Sequence, residues 1–285
     1  MTLHFAIPKG RMYDEVVRLL AEAGVSLRVG ARAYRPALSL SGFETKILKP
    51  QAIVEMLHVG RRDVGFAGAD WVREKGAELI EVLDLRLDPV RIVAAAPREL
   101  LVDGALPKDR PLVVASEYEQ LTRRWIREQG LQATFVRSYG ATEVYPPEDA
   151  DVIVDNTATG STLVANGLQI LDTLMTSSTR LYAHPASWAD ATKRARIEHL
   201  ATLLRSVIDA RTRVVLELNV ATDAFERLIA ILPCMKQPTV SALHGGGGFA
   251  VKVAVPRAQL PELIPEIQRL GGTDLLVTVP AQILP

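Results

Sequence analysis

At 285 residues the chain is long enough for two or three domains with sizeable cores. Lysine plus arginine and aspartate plus glutamate both number 33, so the formal net charge is zero. That balance excludes the basic excess that recruits nucleic acid and the acidic excess of a disordered chain, and any phosphate must be bound by local placement of charge.

The first residues carry no basic segment followed by an apolar run and a cleavage site, and no stretch reaches the ~18–20 apolar residues of a membrane span. The one cysteine, Cys234, cannot form an intrachain disulfide and reads as a small buried hydrophobe. A cytoplasmic protein with no membrane partner is expected.

Residues 3–7 alternate and read as a first strand, followed by a loop at 8–11 (PKGR) and a helix over 12–23 that Gly24 stops. A second strand–loop–helix unit runs from 45 to 58, with Pro50 where a helix start tolerates it. Residues 64–68 form a short strand and 70–75 open a helix. This repetition predicts an α/β domain with a largely parallel sheet. After 84–89 comes a strand at 90–96 and a proline-punctuated surface stretch. Then follow a strand at 111–116, a helix at 118–129 and a strand at 134–137.

The segment 151–168 (DVIVDNTATGSTLVANGL) is the most informative. Val152, Ile153 and Val154 form a β-branched strand with Asp155 at its C-terminal end; Thr157, Thr159, Gly160, Ser161 and Thr162 make a hydroxyl-rich turn into a short helix. Unpaired N–H groups at a helix start favour an anion, and Gly160 permits close backbone approach. Asp155 beside such a cradle suits sugar hydroxyls, which suggests a ribose phosphate. An ordinary Asx and Ser/Thr turn at a strand end fits the same composition.

A strand at 181–183 and an amphipathic helix from 191 to about 210 follow. From 214 strands at 214–220, 249–255 and 274–279 alternate with helices at 223–232 and 261–270, read as a ferredoxin-like module with 244–248 (HGGGG) as a flexible turn. His4, His58, His184 and His199 lack metal-ligand spacing, so no zinc site is expected.

The 151–168 segment resembles the phosphoribosyl-pyrophosphate (PRPP) signature of the ATP phosphoribosyltransferase family. Further similar blocks are 8–11 (PKGR), 63–72 (DVGFAGADWV), 116–125 (SEYEQLTRRW) and 232–240 (LPCMKQPTV), in order over essentially the whole chain. The resemblance implies an α/β fold with a two-lobed, periplasmic-binding-protein-like catalytic part and a C-terminal ferredoxin-like (ACT-like) regulatory domain. Its lobes would be 1–90 with 183–211 and 91–182, the latter binding PRPP, and the regulatory domain would be 212–285.

The implied activity joins ATP to PRPP, releasing pyrophosphate and phosphoribosyl-ATP, the first step of histidine biosynthesis, with Mg²⁺ bridging phosphates and L-histidine as feedback inhibitor. By the same resemblance Lys9, Arg11 and Asp155 would be catalytic. Asp70, Arg123, Thr157, Ala158, Thr159, Gly160, Ser161 and Thr162 would join Asp155 in binding substrate. Helix capping explains Asp70 equally well, and solvation explains Arg123. Histidine would meet Asn219, Met235, Thr239 and Asp274 between neighbouring subunits, although Asn219 stands where some relatives carry an acid. A homo-oligomer, dimer to hexamer, is implied. A two-lobed solute-binding protein closing on a small anion is the alternative; the third domain counts against it.

Overall fold

The computed structural model describes residues 2–29 and 34–284. It divides into two compact units, Met1–Ala21 with Val25–Ala201 and Glu22–Gly24 with Thr202–Pro285.

The first unit is built on one eight-stranded sheet. In chain order its elements begin with β1 (Leu3–Pro8), α1 (Arg11–Glu22), β2 (Leu27–Arg28), β3 (Ala37–Leu38) and β4 (Phe43–Leu48). They continue with α2 (Pro50–His58), β5 (Val64–Gly68), α3 (Ala69–Glu74), β6 (Ile80–Pro97), β7 (Leu112–Ser116), α4 (Glu119–Gln129) and β8 (Ala133–Arg137). The last are β9 (Val152–Thr157), α5 (Ser161–Ala165), β10 (Leu168–Ala183), α6 (Pro185–Ala189) and α7 (Ala191–Arg211), which runs on into the second unit.

The order across the sheet is β4-β1-β5-β10-β6-β9-β7-β8. Both ends are parallel: β1 with β4 and β5, β7 with β8 and β9. The middle is antiparallel, β10 against β5 and β6, and β6 against β9. The expectation of a largely parallel sheet is corrected to a mixed one. The reason is the chain path: β6 carries the chain out to a second lobe, β10 brings it back, and two neighbouring crossings must run in opposite directions. The first lobe packs α2 over β1 and β5 through Ile53, Val54 and Leu57 against Ala6 and Ala67. In the second, Leu121, Trp125 and Ile126 of α4 cover Ile92, Val114 and Val154.

The crossing strands are 18 and 16 residues long, far above an ordinary strand. Residues 84–89 belong to β6, and 168–180, not assigned to a strand from sequence, belong to β10. Their register shifts repeatedly, and Arg86 and Asp88 take positive φ of 56° and 45°. Such irregularity erases the period-two signal that marks a strand in sequence. The chain returning from β10 is tied to the first lobe by Asp63. This buried carboxylate accepts from the His4 N–H at 2.7 Å, Ser187 Oγ at 2.6 Å and Lys193 Nζ at 2.6 Å.

The second unit contains β11 (Arg213–Ala221), α8 (Phe225–Ile231), β12 (Thr239–Ala242), β13 (Gly248–Pro256), α9 (Leu260–Arg269) and β14 (Gly272–Thr278). Its sheet order is β12-β13-β11-β14 with every pair antiparallel, the expected ferredoxin-like arrangement. Val214, Leu216, Leu218 and Val220 alternate inward and meet Leu228, Leu263 and Ile267 from the helices. Cys234, free and partly buried, packs at the margin of this core. Among the described residues no helix is long and apolar enough to cross a membrane.

Candidate active site

β1 ends at Pro8, and the Lys9 N–H donates to Leu48 O at 2.7 Å. Gly10, at φ +84°, turns the chain so that Arg11 opens α1. Lys9 Nζ donates to Tyr34 Oη at 3.0 Å and lies over that ring; the hydrogen bond and the charge lower the phenol's pKa. Arg11 Nε stands 3.6 Å from Asp88 Oδ1, and its guanidinium is largely exposed. Burial pushes the Asp88 carboxyl up, with Arg11 opposing.

Across the cleft, β9 extends through Asp155 to Thr157, beyond the strand expected from sequence. Thr157 Oγ1 accepts the Gly160 N–H at 2.9 Å, the hydroxyls of Thr159 and Ser161 lie 3.0 Å apart, and α5 starts at Ser161. Asp155, Thr157, Ala158, Thr159, Ser161 and Thr162 line a cavity of about 310 Å³, with Arg11 and Glu143 also on its wall. Gly160 shapes the turn from outside that lining, at φ +86°. A Cβ there would meet Ile170 Cδ1 at 3.3 Å. Gly160→Ala is therefore expected to cost about 1 kcal/mol from the left-handed backbone and to raise the KM for a phosphorylated substrate. An unchanged KM in a steady-state titration would place the phosphate elsewhere.

The Asp155 carboxyl is pushed up to about 6. Burial is the main cause, the Asn156 N–H opposes it, and Glu143 and Glu117 add like-charge repulsion. A second cavity, about 160 Å³, shares Arg11 and Asn156 with the first and is lined also by Lys9, Asp70, Trp71 and Tyr118.

The structure thus brings Lys9, Arg11, Asp155 and the 157–162 turn to one cleft. Asp70 is buried on its floor, accepting from Ser177 Oγ at 2.7 Å and Tyr118 Oη at 2.8 Å. Arg123 lines neither cavity: its Nε donates to Glu119 at 2.9 Å and its guanidinium lies over Phe135. Glu143, Asn156, Tyr118 and Asp88 were not singled out from sequence. Tyr118 and Asn156 lie inside blocks already matched, whereas Glu143 sits in an aperiodic stretch with no local signal.

In the second unit Asn219 Nδ2 donates to Asp274 Oδ2 at 2.9 Å, while Thr239 lies on the β12 edge and Met235 in the connection before it. Asp274 is on the edge strand β14 with Asn219 beside it on the interior strand β11, and Thr239 is on the opposite edge strand β12. Among the described residues no group of three or more His, Cys, Asp or Glu side chains is arranged to hold a metal ion.

The first unit is thus a mixed α/β body of two lobes whose cleft holds a hydroxyl-lined turn beside a carboxylate, with Arg11 on the same wall, and the second is a ferredoxin-like module. The family profile described as ATP phosphoribosyltransferase matches residues 49–206, and that described as HisG, C-terminal domain, matches 210–279. The chain belongs to the ATP phosphoribosyltransferase family. It is 36% identical over 290 aligned positions to the ATP phosphoribosyltransferase of Pelotomaculum thermopropionicum, covering 100% of both chains. It is 37% identical to that of Pelodictyon phaeoclathratiforme, covering 96% of this chain and 94% of the relative. A chain of the ATP phosphoribosyl transferase (HisG:HisZ) complex from Thermotoga maritima superposes with TM-score 0.65 at 28% identity, covering 73% of this chain and 99% of that one.

Proposed function

We propose that the protein carries out its family's reaction, ATP phosphoribosyl transfer, in the cleft between the Lys9–Arg11 loop and the 157–162 turn. One observation supports this most: Asp155 and the threonine-rich turn share a cavity wall with Arg11. In this reading the 5-phosphate of PRPP lies against the hydroxyls and backbone of the turn, and Asp155 accepts from the ribose hydroxyls. Pyrophosphate faces Lys9 and Arg11.

Adenine N1 forms the bond to the anomeric carbon as the bond to pyrophosphate oxygen breaks, its electron pair leaving with pyrophosphate and the carbon inverting. The attacking nitrogen is neutral and already nucleophilic, so the protein's part is alignment and charge stabilisation. Ionised Asp155 would also steady positive charge developing on the ribose.

Mg²⁺ would come in with the phosphates of the substrates, and no protein side chain is assigned to it. When bound it would neutralise charge on the pyrophosphate. Arg123, held by Glu119 and Phe135, would have to release both to reach substrate. Incubating the protein with ATP, PRPP and Mg²⁺ and following phosphoribosyl-ATP absorbance tests the reading. A folded sample without product rejects it.

The second unit is proposed as the histidine-responsive part of a homo-oligomer, dimer to hexamer. Its open sheet edges carry exposed apolar residues, Val240 on β12 and Leu276 on β14, which a second copy would cover. Asp274 lies on the β14 edge with Asn219 beside it on β11, and Thr239 on the β12 edge with Met235 in the loop before it, so the β14 side of one copy meeting the β12 side of another would gather all four around one ligand. Asp274→Ala is expected to weaken histidine inhibition at least tenfold with catalysis retained, the scale of one charged hydrogen bond. Unchanged inhibition would move the effector site away from this edge.

A further inference from the structure

Asp70 has no carboxylate oxygen left free of a protein donor: Oδ1 accepts from Ser177 and Oδ2 from Tyr118. Tyr118 is buried, with its ring stacked on Trp71 at 4.7 Å between centroids. Because its hydroxyl proton goes to Asp70, its oxygen is turned to accept, and Asn156 Nδ2 donates to it at 3.3 Å. The same Nδ2 donates at 3.2 Å to Asp155 Oδ1, which also receives the Asn156 backbone N–H at 2.7 Å. Both donors meet Asp155 on one oxygen. Among the described residues no donor reaches Oδ2.

We propose that Asp70, Tyr118 and Asn156 are positioning residues, an interlobe hydrogen-bond chain that orients the Asp155 carboxylate so that Oδ2 faces the ribose hydroxyls. The proposal rests on the reading of Asp155 given above. It also assigns Asp70 a place behind the site instead of on the substrate. The chain starts on α3 of the first lobe and ends on β9 of the second, so support for Asp155 depends on the lobes keeping this separation. Each link fixes the next: Asp70 sets the Tyr118 rotor, Tyr118 sets the Asn156 amide, and the amide sets the carboxylate plane.

The test compares Tyr118→Phe, Asn156→Ala, their double variant and Asp155→Asn with the wild type, recording kcat/KM for PRPP against pH. The charged groups facing Asp155 are Glu117 after β7, Glu143 before β9 and Arg11 across the cavity, and all remain in every variant, as does the titration of PRPP itself. Tyr118→Phe keeps the stack on Trp71 and removes only the hydroxyl. It is expected to lower kcat/KM about tenfold, the scale of one hydrogen bond to a charged group. It should also move the acid-side inflection to higher pH, because the carboxylate loses donor support. Asn156→Ala, on an exposed residue and so without cost to the core, should move the inflection the same way, and the double variant should add nothing beyond it.

Loss of the wild-type inflection in Asp155→Asn identifies it with Asp155. Given that loss, a wild-type profile in both single variants, or additive effects in the double, overturns the chain alone. Persistence of the inflection in Asp155→Asn removes Asp155 from the site and the proposal with it.

Discussion

Asp155→Ala is expected to lower kcat/KM for PRPP by about 30-fold or more, ~2 kcal/mol of transition-state stabilisation, with the fold intact. The carboxylate lies on the wall of the cavity lined by the 157–162 turn, and among the described residues one of its oxygens receives no donor. Wild-type turnover in the variant would remove it from the reaction. The pH profile adds an independent check. The group must be ionised to steady a cationic ribose, and its pKa is about 6, so kcat/KM should fall as pH drops through that value.

Stability should move the other way. A carboxyl whose pKa is raised on folding contributes stability below its unfolded value near 3.8, and that contribution is lost as pH rises through about 6. At pH 7 the ionised group therefore costs the fold up to roughly 3 kcal/mol. Asp155→Asn should melt higher than wild type at pH 7 and lose the advantage near pH 4. A variant both inactive and less stable would show the residue to be structural.

Asp63→Ala is expected to destabilise the first unit by about 3–5 kcal/mol, lowering Tm by on the order of 10 °C. Removing the carboxylate strands the half-buried Lys193 ammonium, the Ser187 hydroxyl and the His4 N–H together. These groups come from β1, α6 and α7, so the loss loosens the returning chain from the first lobe. Burial raises the Asp63 carboxyl, but its donors outweigh that and hold its pKa below the ordinary range. Its contribution is present above the unfolded pKa near 3.8 and lost as pH falls through the lower folded value. The Tm gap between wild type and Asp63→Ala should therefore close in strong acid. A variant melting with the wild type at pH 7 would show the cluster to be energetically neutral.

Local elements were legible wherever one physical rule acted over a few residues. Val152–Val154 and the hydroxyl turn after them announced a strand and an anion-suited turn, and alternating β11 and β13 announced the terminal module. The PKGR loop and the 151–168 segment, each recognisable alone, do lie in one cleft. What remained hidden depends on residues distant in sequence. The length and direction of β6 and β10 come from pairing across the sheet, and their bulges erase the alternation that would reveal them.

Sequence by itself determined the α/β class, the ferredoxin-like module and the hydroxyl-rich turn after Val154, because periodicity and turn chemistry are written in neighbouring residues, and resemblance of ordered blocks gave the family. Only the tertiary structure decided that the sheet is mixed, that Asp70 is spent on Tyr118 and Ser177, and that Glu117 and Glu143 crowd Asp155. Those facts follow from which groups become neighbours once water is excluded between them, and no local pattern encodes that.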